Sequence, residues 1–175
     1  TCIEENVRRV VMMSSNHAAD FYEPLIWEEK VDFVTKDDYP LTDNFYGWVK
    51  ISYEALGFVF ATGSMNDGKR LENVQIRIGA PREDVAENPG DLKKLHRGLG
   101  AYLSARDQTQ LVVKSIEADD ITDKFGVPFQ VFYGISGNSH RFWGITDATK
   151  KIGYVPEDDS SVKFADKVAE TMRAA

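Results

Sequence analysis

Cysteine is nearly missing from this chain. Cys2 is its one cysteine in 175 residues, so no intrachain disulfide and no cysteine-rich metal site can form. The three histidines, His17, His96 and His140, lie far apart with no ligand spacing, which argues against a metal centre. No apolar run is long enough for a membrane-spanning helix, and no signal-peptide pattern opens the sequence. Together these absences lead us to expect a reducing, cytoplasmic setting and no membrane partner. Positive charge is also short, with 21 Lys and Arg against 28 Asp and Glu and a net charge of -7. The basic residues are scattered among acids, which excludes a general nucleic-acid binder. A small anionic ligand stays compatible, because one arginine can fix a carboxylate or phosphate locally.

What is present is an ordinary soluble balance, 42% hydrophobic and 28% charged, in a chain long enough to bury a core. Residues 9–14 form a short apolar run with β-branched members and read as a buried, parallel strand. Residues 20–43 are acidic, aromatic and irregular and read as a solvated flap. A helix is predicted from Asn44 to Thr62, capped by Asp43 or Asn44 and stopped by Gly63. Its apolar stripe of Val49, Leu56, Val59 and Phe60 suits either the core or a second copy of the chain. Strands are predicted at 73–79 and 129–136, and helices within 91–103, 104–118, 145–152 and 159–174. Residues 80–90 form a loop with Pro81 and Pro89. Strands separated by helices mean an α/β fold with a mainly parallel sheet. Three strands are few for a sheet covered on both faces, so further strands are expected. The chain opens without methionine at Thr1-Cys2-Ile3 and ends at Arg173-Ala174-Ala175, and reads as the later part of something larger.

Tyr46 and Lys50 lie four residues apart on the predicted helix, a spacing that stacks two side chains on one face, shared with Tyr53 and Glu54. An ammonium beside a phenol favours the phenolate, so the pair can move a proton. The same spacing also arises in ordinary surface helices. Ser14-Ser15-Asn16, at the end of the preceding strand, adds a hydroxyl where open α/β sheets bind ligands.

The segments Val10–Ala18, Tyr46–Lys50, Ile76–Gly79, Tyr102–Asp107 and Tyr133–Asn138, in that order, resemble the extended short-chain dehydrogenases/reductases of the NAD-dependent epimerase/dehydratase family. Within it they are similar to the uronate dehydrogenases and the archaeal NAD-dependent glucose-6-phosphate dehydrogenases. The likeness runs from about Val7 to Phe164. It implies the C-terminal part of a Rossmann-like doubly wound parallel sheet lacking the dinucleotide-binding strands. Residues 1–79 would close the NAD-binding unit, and 80–175 would form a small substrate-binding part. It further implies that Ser15, Tyr46 and Lys50 are catalytic. Tyr46 would be the acid/base, and Lys50 would lower its pKa and hold the nicotinamide ribose. Asn16 and His17 would line the sugar site, and Arg97 would grip an anionic group. Ile78, Gly79 and Ala80 would lie against the nicotinamide. The uronate enzymes carry a substrate-contacting serine where this chain has Ala80, which weighs against a uronate. Asn138 and Trp143 are expected to shape or pack the pocket.

No G-x-G-x-x-G or G-x-x-G-x-x-G motif occurs in the chain, so the usual phosphate cradle for NAD is missing. Weak or no NAD binding is expected of these residues alone. Three readings stay open. One is an NAD(P)-dependent dehydrogenase that oxidises the anomeric hydroxyl of a hexuronate or sugar phosphate to a lactone. Another is a nucleotide-sugar epimerase or dehydratase, and the third a non-catalytic remnant of the fold. A homodimer through the Tyr46 helix is the expected assembly.

Overall fold

Alternation of branched and polar residues along 72–78 builds the central strand, β2 (Glu72–Ile78). In the computed structural model, which describes residues 1–87 and 90–174, β1 (Arg9–Ser15) and β3 (Phe129–Gly134) flank it. Pro89 and Ala175, named above, lie outside the described residues. Both pairings are parallel and the strand order is β1-β2-β3. Ser15 stands opposite Ile78, and Ile78 opposite Gly134. The C-terminal ends of the strands therefore form one row, where ligands of such sheets bind.

One face of the sheet is apolar. Val74 and Ile76 pack there with Phe132, with Leu111 of α4 (Ala105–Glu117) and with Ile152 of α5 (Thr146–Ile152). The other face is polar yet buried, with Asn73, Gln75 and Arg77 all at 2% exposure or less. It is covered by α2 (Phe45–Thr62), which turns Gly47, Glu54, Gly57 and Ala61 inward. These small residues let the helix sit close. A Cβ on Gly57 would lie 2.5 Å from Gln75 Nε2 and 2.7 Å from Asn73 Oδ1. The helix starts at Asn44, whose Oδ1 accepts the Gly47 N–H at 2.8 Å, and stops at Gly63, with φ at 74°.

Several expectations need correction. The stripe of Val49, Leu56, Val59 and Phe60, for which the core and a second copy were both open, lies outside the core, with Leu56 50% and Val59 39% exposed. A polar sheet face selects glycine and glutamate from α2 instead. Glu54 accordingly points to the sheet, while Tyr53 stays outside with Tyr46. β1 is half-buried rather than buried, because it has a strand partner on one side only among the described residues. Residues 20–43 are not a solvated flap. They contain α1 (Tyr22–Trp27) and the buried Val34, whose N–H donates to the Phe142 carbonyl at 2.8 Å. Val34 joins a second core with Ala19, Ala101, Tyr133, Ile135, Phe142 and Trp143. A few apolar anchors outweigh the acidic composition of this stretch. The last predicted helix is broken at Phe164 into α6 (Ser160–Lys163) and α7 (Ala165–Ala174). No helix among the described residues is long and apolar enough to cross a membrane.

Candidate active site

β1 ends in Ser14 and Ser15, both buried, and the chain turns at once into a 3-10 turn, Asn16–Ala19. Ser15 caps that turn by accepting the His17 N–H at 3.2 Å. The first turn of α2 lies directly on it. A Cβ on Gly47 would collide with the His17 carbonyl oxygen and with Thr42 Oγ1, so only glycine allows this approach. The contact brings Tyr46 to His17, ring edge to ring face, with centroids 5.3 Å apart. One turn later, Lys50 Nζ donates to the Met13 carbonyl at 2.8 Å and stands 5.5 Å from the Tyr46 ring centroid. Ser15, His17, Tyr46 and Lys50 thus converge at the C-terminal end of β1.

Beneath them runs a buried polar chain that the sequence reading missed. Ser14 Oγ donates to Glu54 Oε1 at 2.6 Å. Arg77 donates to both Glu54 oxygens, from Nε at 2.9 Å and Nη2 at 2.8 Å, and from Nη1 to the Tyr133 hydroxyl at 3.1 Å. Burial opposes the Arg77 charge, but Glu54 and Tyr133 more than offset it, so its pKa lies above the ordinary arginine value. The available signal was an acid one helical turn past Lys50, together with an arginine inside a strand.

Beyond the 3-10 turn, Arg97 of α3 (Leu92–Ala101) is not a free cation. Its Nε lies 2.9 Å from Glu23 Oε1 and its Nη2 3.7 Å from Asp20 Oδ1. Asp20 also bonds His17 Nδ1 at 2.6 Å and accepts from Asn44 Nδ2 at 2.7 Å. Burial pushes Glu23 up to about 7, against the pull of Arg97 and with the help of Asp20. Burial also works against the Asp20 charge, but His17, Asn44 and Arg97 prevail and hold it below the usual aspartate value. Four buried polar atoms here make no hydrogen bond among the described residues: Asn16 Nδ2, Asp20 Oδ1, Glu23 Oε1 and Arg97 Nη2, the last three meeting only in the ion pairs just given. Unpaired buried groups of this kind are costly unless something meets them.

The loop after β2 closes the site from the other side. The Gly79 N–H donates to the Gly134 carbonyl at 2.9 Å and the Ala80 N–H to the Ala101 carbonyl at 2.7 Å. With both amides engaged, Ile78, Gly79 and Ala80 offer a surface for contact rather than free donors. Asn138 serves the scaffold: its Nδ2 donates to the Tyr102 carbonyl at 2.8 Å, and its Oδ1 accepts from the Ser160 N–H at 3.1 Å. Trp143 is fully buried.

No family model matches the chain. Individual proteins do. It is 29% identical over 165 residues to an NAD-dependent glucose-6-phosphate dehydrogenase of Haloferax volcanii, covering 91% of this chain and 56% of that protein. It is equally 29% identical over 165 residues to an L-arabinose 1-dehydrogenase of the same organism, covering 89% and 61%. The solved structure of a mutated uronate dehydrogenase superposes with a TM-score of 0.69 at 25% identity, covering 97% of this chain and 52% of that one. Over most of its length this chain is similar to NAD-dependent sugar dehydrogenases. Its fold matches the C-terminal half of the Rossmann-like short-chain dehydrogenases/reductases, and it spans little more than half the length of the curated relatives it matches.

Proposed function

We propose that these residues form the catalytic and sugar-binding part of an NAD(P)-dependent dehydrogenase that oxidises the anomeric hydroxyl of a sugar to a lactone. The observation that carries this reading is the convergence of Ser15, Tyr46 and Lys50 at the end of β1, with His17 against the Tyr46 ring. The Tyr46 oxygen takes the proton of the anomeric hydroxyl. Ser15 Oγ has accepted the His17 N–H and keeps its own proton to donate to the same substrate oxygen. Lys50 places positive charge beside the phenol ring and hydrogen-bonds the nicotinamide ribose. Asn16 and His17 face the remaining hydroxyls, and Asp20 fixes the His17 ring through Nδ1. NAD, when bound, supplies the hydride acceptor. Ile78 and Ala80 give its nicotinamide end a contact surface.

No glycine-rich phosphate cradle is present in the sequence, so the isolated 175 residues bind NAD weakly or not at all. The outer face of α2 supports a homodimer through that helix, since Phe45 is 88%, Trp48 60% and Leu56 50% exposed. The function is tested with the natural-length gene product, NAD and a panel of free sugars and sugar phosphates. NADH formation with a stoichiometric lactone is expected. Conversion of nucleotide sugars without net NADH would move the assignment to an epimerase.

A further inference from the structure

We propose that Asp20 and Glu23 tune this site for an uncharged aldose and against hexuronates and sugar phosphates, an inference that rests on the sugar-dehydrogenase reading above. Arg97 is the cation on which an anionic substrate was expected to dock. A guanidinium holds a carboxylate best with two parallel N–H groups. Here the Nε is taken by Glu23 at 2.9 Å, and the neighbouring Nη2 stands 3.7 Å from Asp20 Oδ1. Two carboxylates therefore surround one guanidinium. With both ionised the trio carries a net charge of about -1, and with Glu23 protonated it is neutral. Burial brings Glu23 to about 7, so both states are populated near neutrality. Neither presents net positive charge.

Of the neighbouring groups, His17 is bonded to Asp20 through Nδ1 at 2.6 Å. Lys93, also on α3, stands 5.3 Å from the Trp27 ring centroid. An incoming carboxylate or phosphate thus meets like charge from Asp20 and Glu23. A sugar hydroxyl meets what it needs. The Asp20 and Glu23 carboxylates are acceptors and the Arg97 guanidinium is a donor, and each side chain keeps some exposure, at 13%, 10% and 25%. A hydroxyl both donates and accepts, so a polyol can satisfy such a mixed set where an anion, which only accepts, cannot.

The test is kcat/KM of the natural-length gene product at pH 8 on D-glucose and D-glucuronate, which differ only at C6, with L-arabinose and glucose 6-phosphate alongside. Glucose is expected to exceed glucuronate by tenfold or more. Glu23→Gln and Asp20→Asn keep the side-chain shapes and remove charge, and each is expected to shift that ratio at least tenfold toward glucuronate. A wild type that prefers glucuronate or glucose 6-phosphate overturns the proposal, as does a ratio unmoved in both variants. Sugar binding measured by saturation-transfer NMR separates this from the broader reading. Binding of glucose over glucuronate with no NADH formed removes the dehydrogenase assignment and supports the charge argument. Binding of neither sugar overturns both.

Discussion

Replacing Glu54 with alanine removes the acceptor at the centre of the polar chain beneath the site. The Arg77 and Glu54 side chains are only 3% and 8% exposed, so the guanidinium would stay buried without its counter-charge. Removing one partner of such a pair costs about 3–5 kcal/mol. Ser14 Oγ would also lose its 2.6 Å acceptor. Arg77 keeps the Tyr133 hydroxyl at 3.1 Å and a position 5.3 Å from that ring's centroid, which argues for the lower end, about 3 kcal/mol. Urea unfolding of the wild type, Glu54→Ala, Arg77→Met and the double variant Glu54→Ala/Arg77→Met measures the term as a cycle. Each single variant should be strongly destabilised. The double, with both charges gone, should recover most of that loss, because apolar replacements of a buried pair are often neutral or better. A Glu54→Ala loss below about 1 kcal/mol, or a double variant equal to the sum of the singles, would refute the claim that this pair is a coupled buried unit.

Other expectations follow from the same geometry. Glu23, raised to about 7 in the fold from an ordinary value near 4.3, binds more protons folded than unfolded between those values, so stability falls as pH rises through that window. Glu23→Gln should therefore change little at pH 4 and stabilise by roughly 3 kcal/mol at pH 8, read by urea unfolding at the two pH values. Equal effects at both would contradict the shift. Gly47→Ala adds a methyl group against the His17 carbonyl and should push the start of α2 off the 3-10 turn. A cost of about 1–3 kcal/mol and a loss of turnover larger than the loss of stability are expected, measured by unfolding and steady-state kinetics. Leu56→Lys, at a half-exposed position on the outer face of α2, should leave the fold intact and give a monomer by light scattering. A persistent dimer would place the interface elsewhere.

The α/β class was legible because β1, β2 and β3 carry branched runs and the helices between them carry caps. Asn44 and Gly63 bound α2 where the sequence placed them. Ser104 caps α4, its Oγ accepting the Asp107 N–H at 3.1 Å, at the start of the helix expected over 104–118. What the sequence hid is which face of each element is buried. The polar Asn73, Gln75 and Arg77 alternate with branched residues along β2, yet α2 covers them, because Gly57 permits close approach and Glu54 neutralises Arg77. Pattern rules equate polar with exposed, and a satisfied buried pair defeats them. At the site, Ser15, His17, Tyr46 and Lys50 were nameable from the sequence and the fold brings them together. Asp20 and Glu23 were not, since nothing local in an acidic loop marks two carboxylates that turn in toward an arginine 74 residues away from Glu23.

The central claim is that Tyr46 moves the proton in sugar oxidation, and the most direct measurement is the turnover of Tyr46→Phe in the natural-length gene product. The substitution removes one oxygen from a side chain that is 54% exposed, so the fold should be unchanged by circular dichroism. Sugar-dependent NADH formation should fall by about 10²–10⁴-fold, the usual contribution of a positioned acid/base, while sugar binding persists. A folded variant that turns over sugar at the wild-type rate would contradict the account.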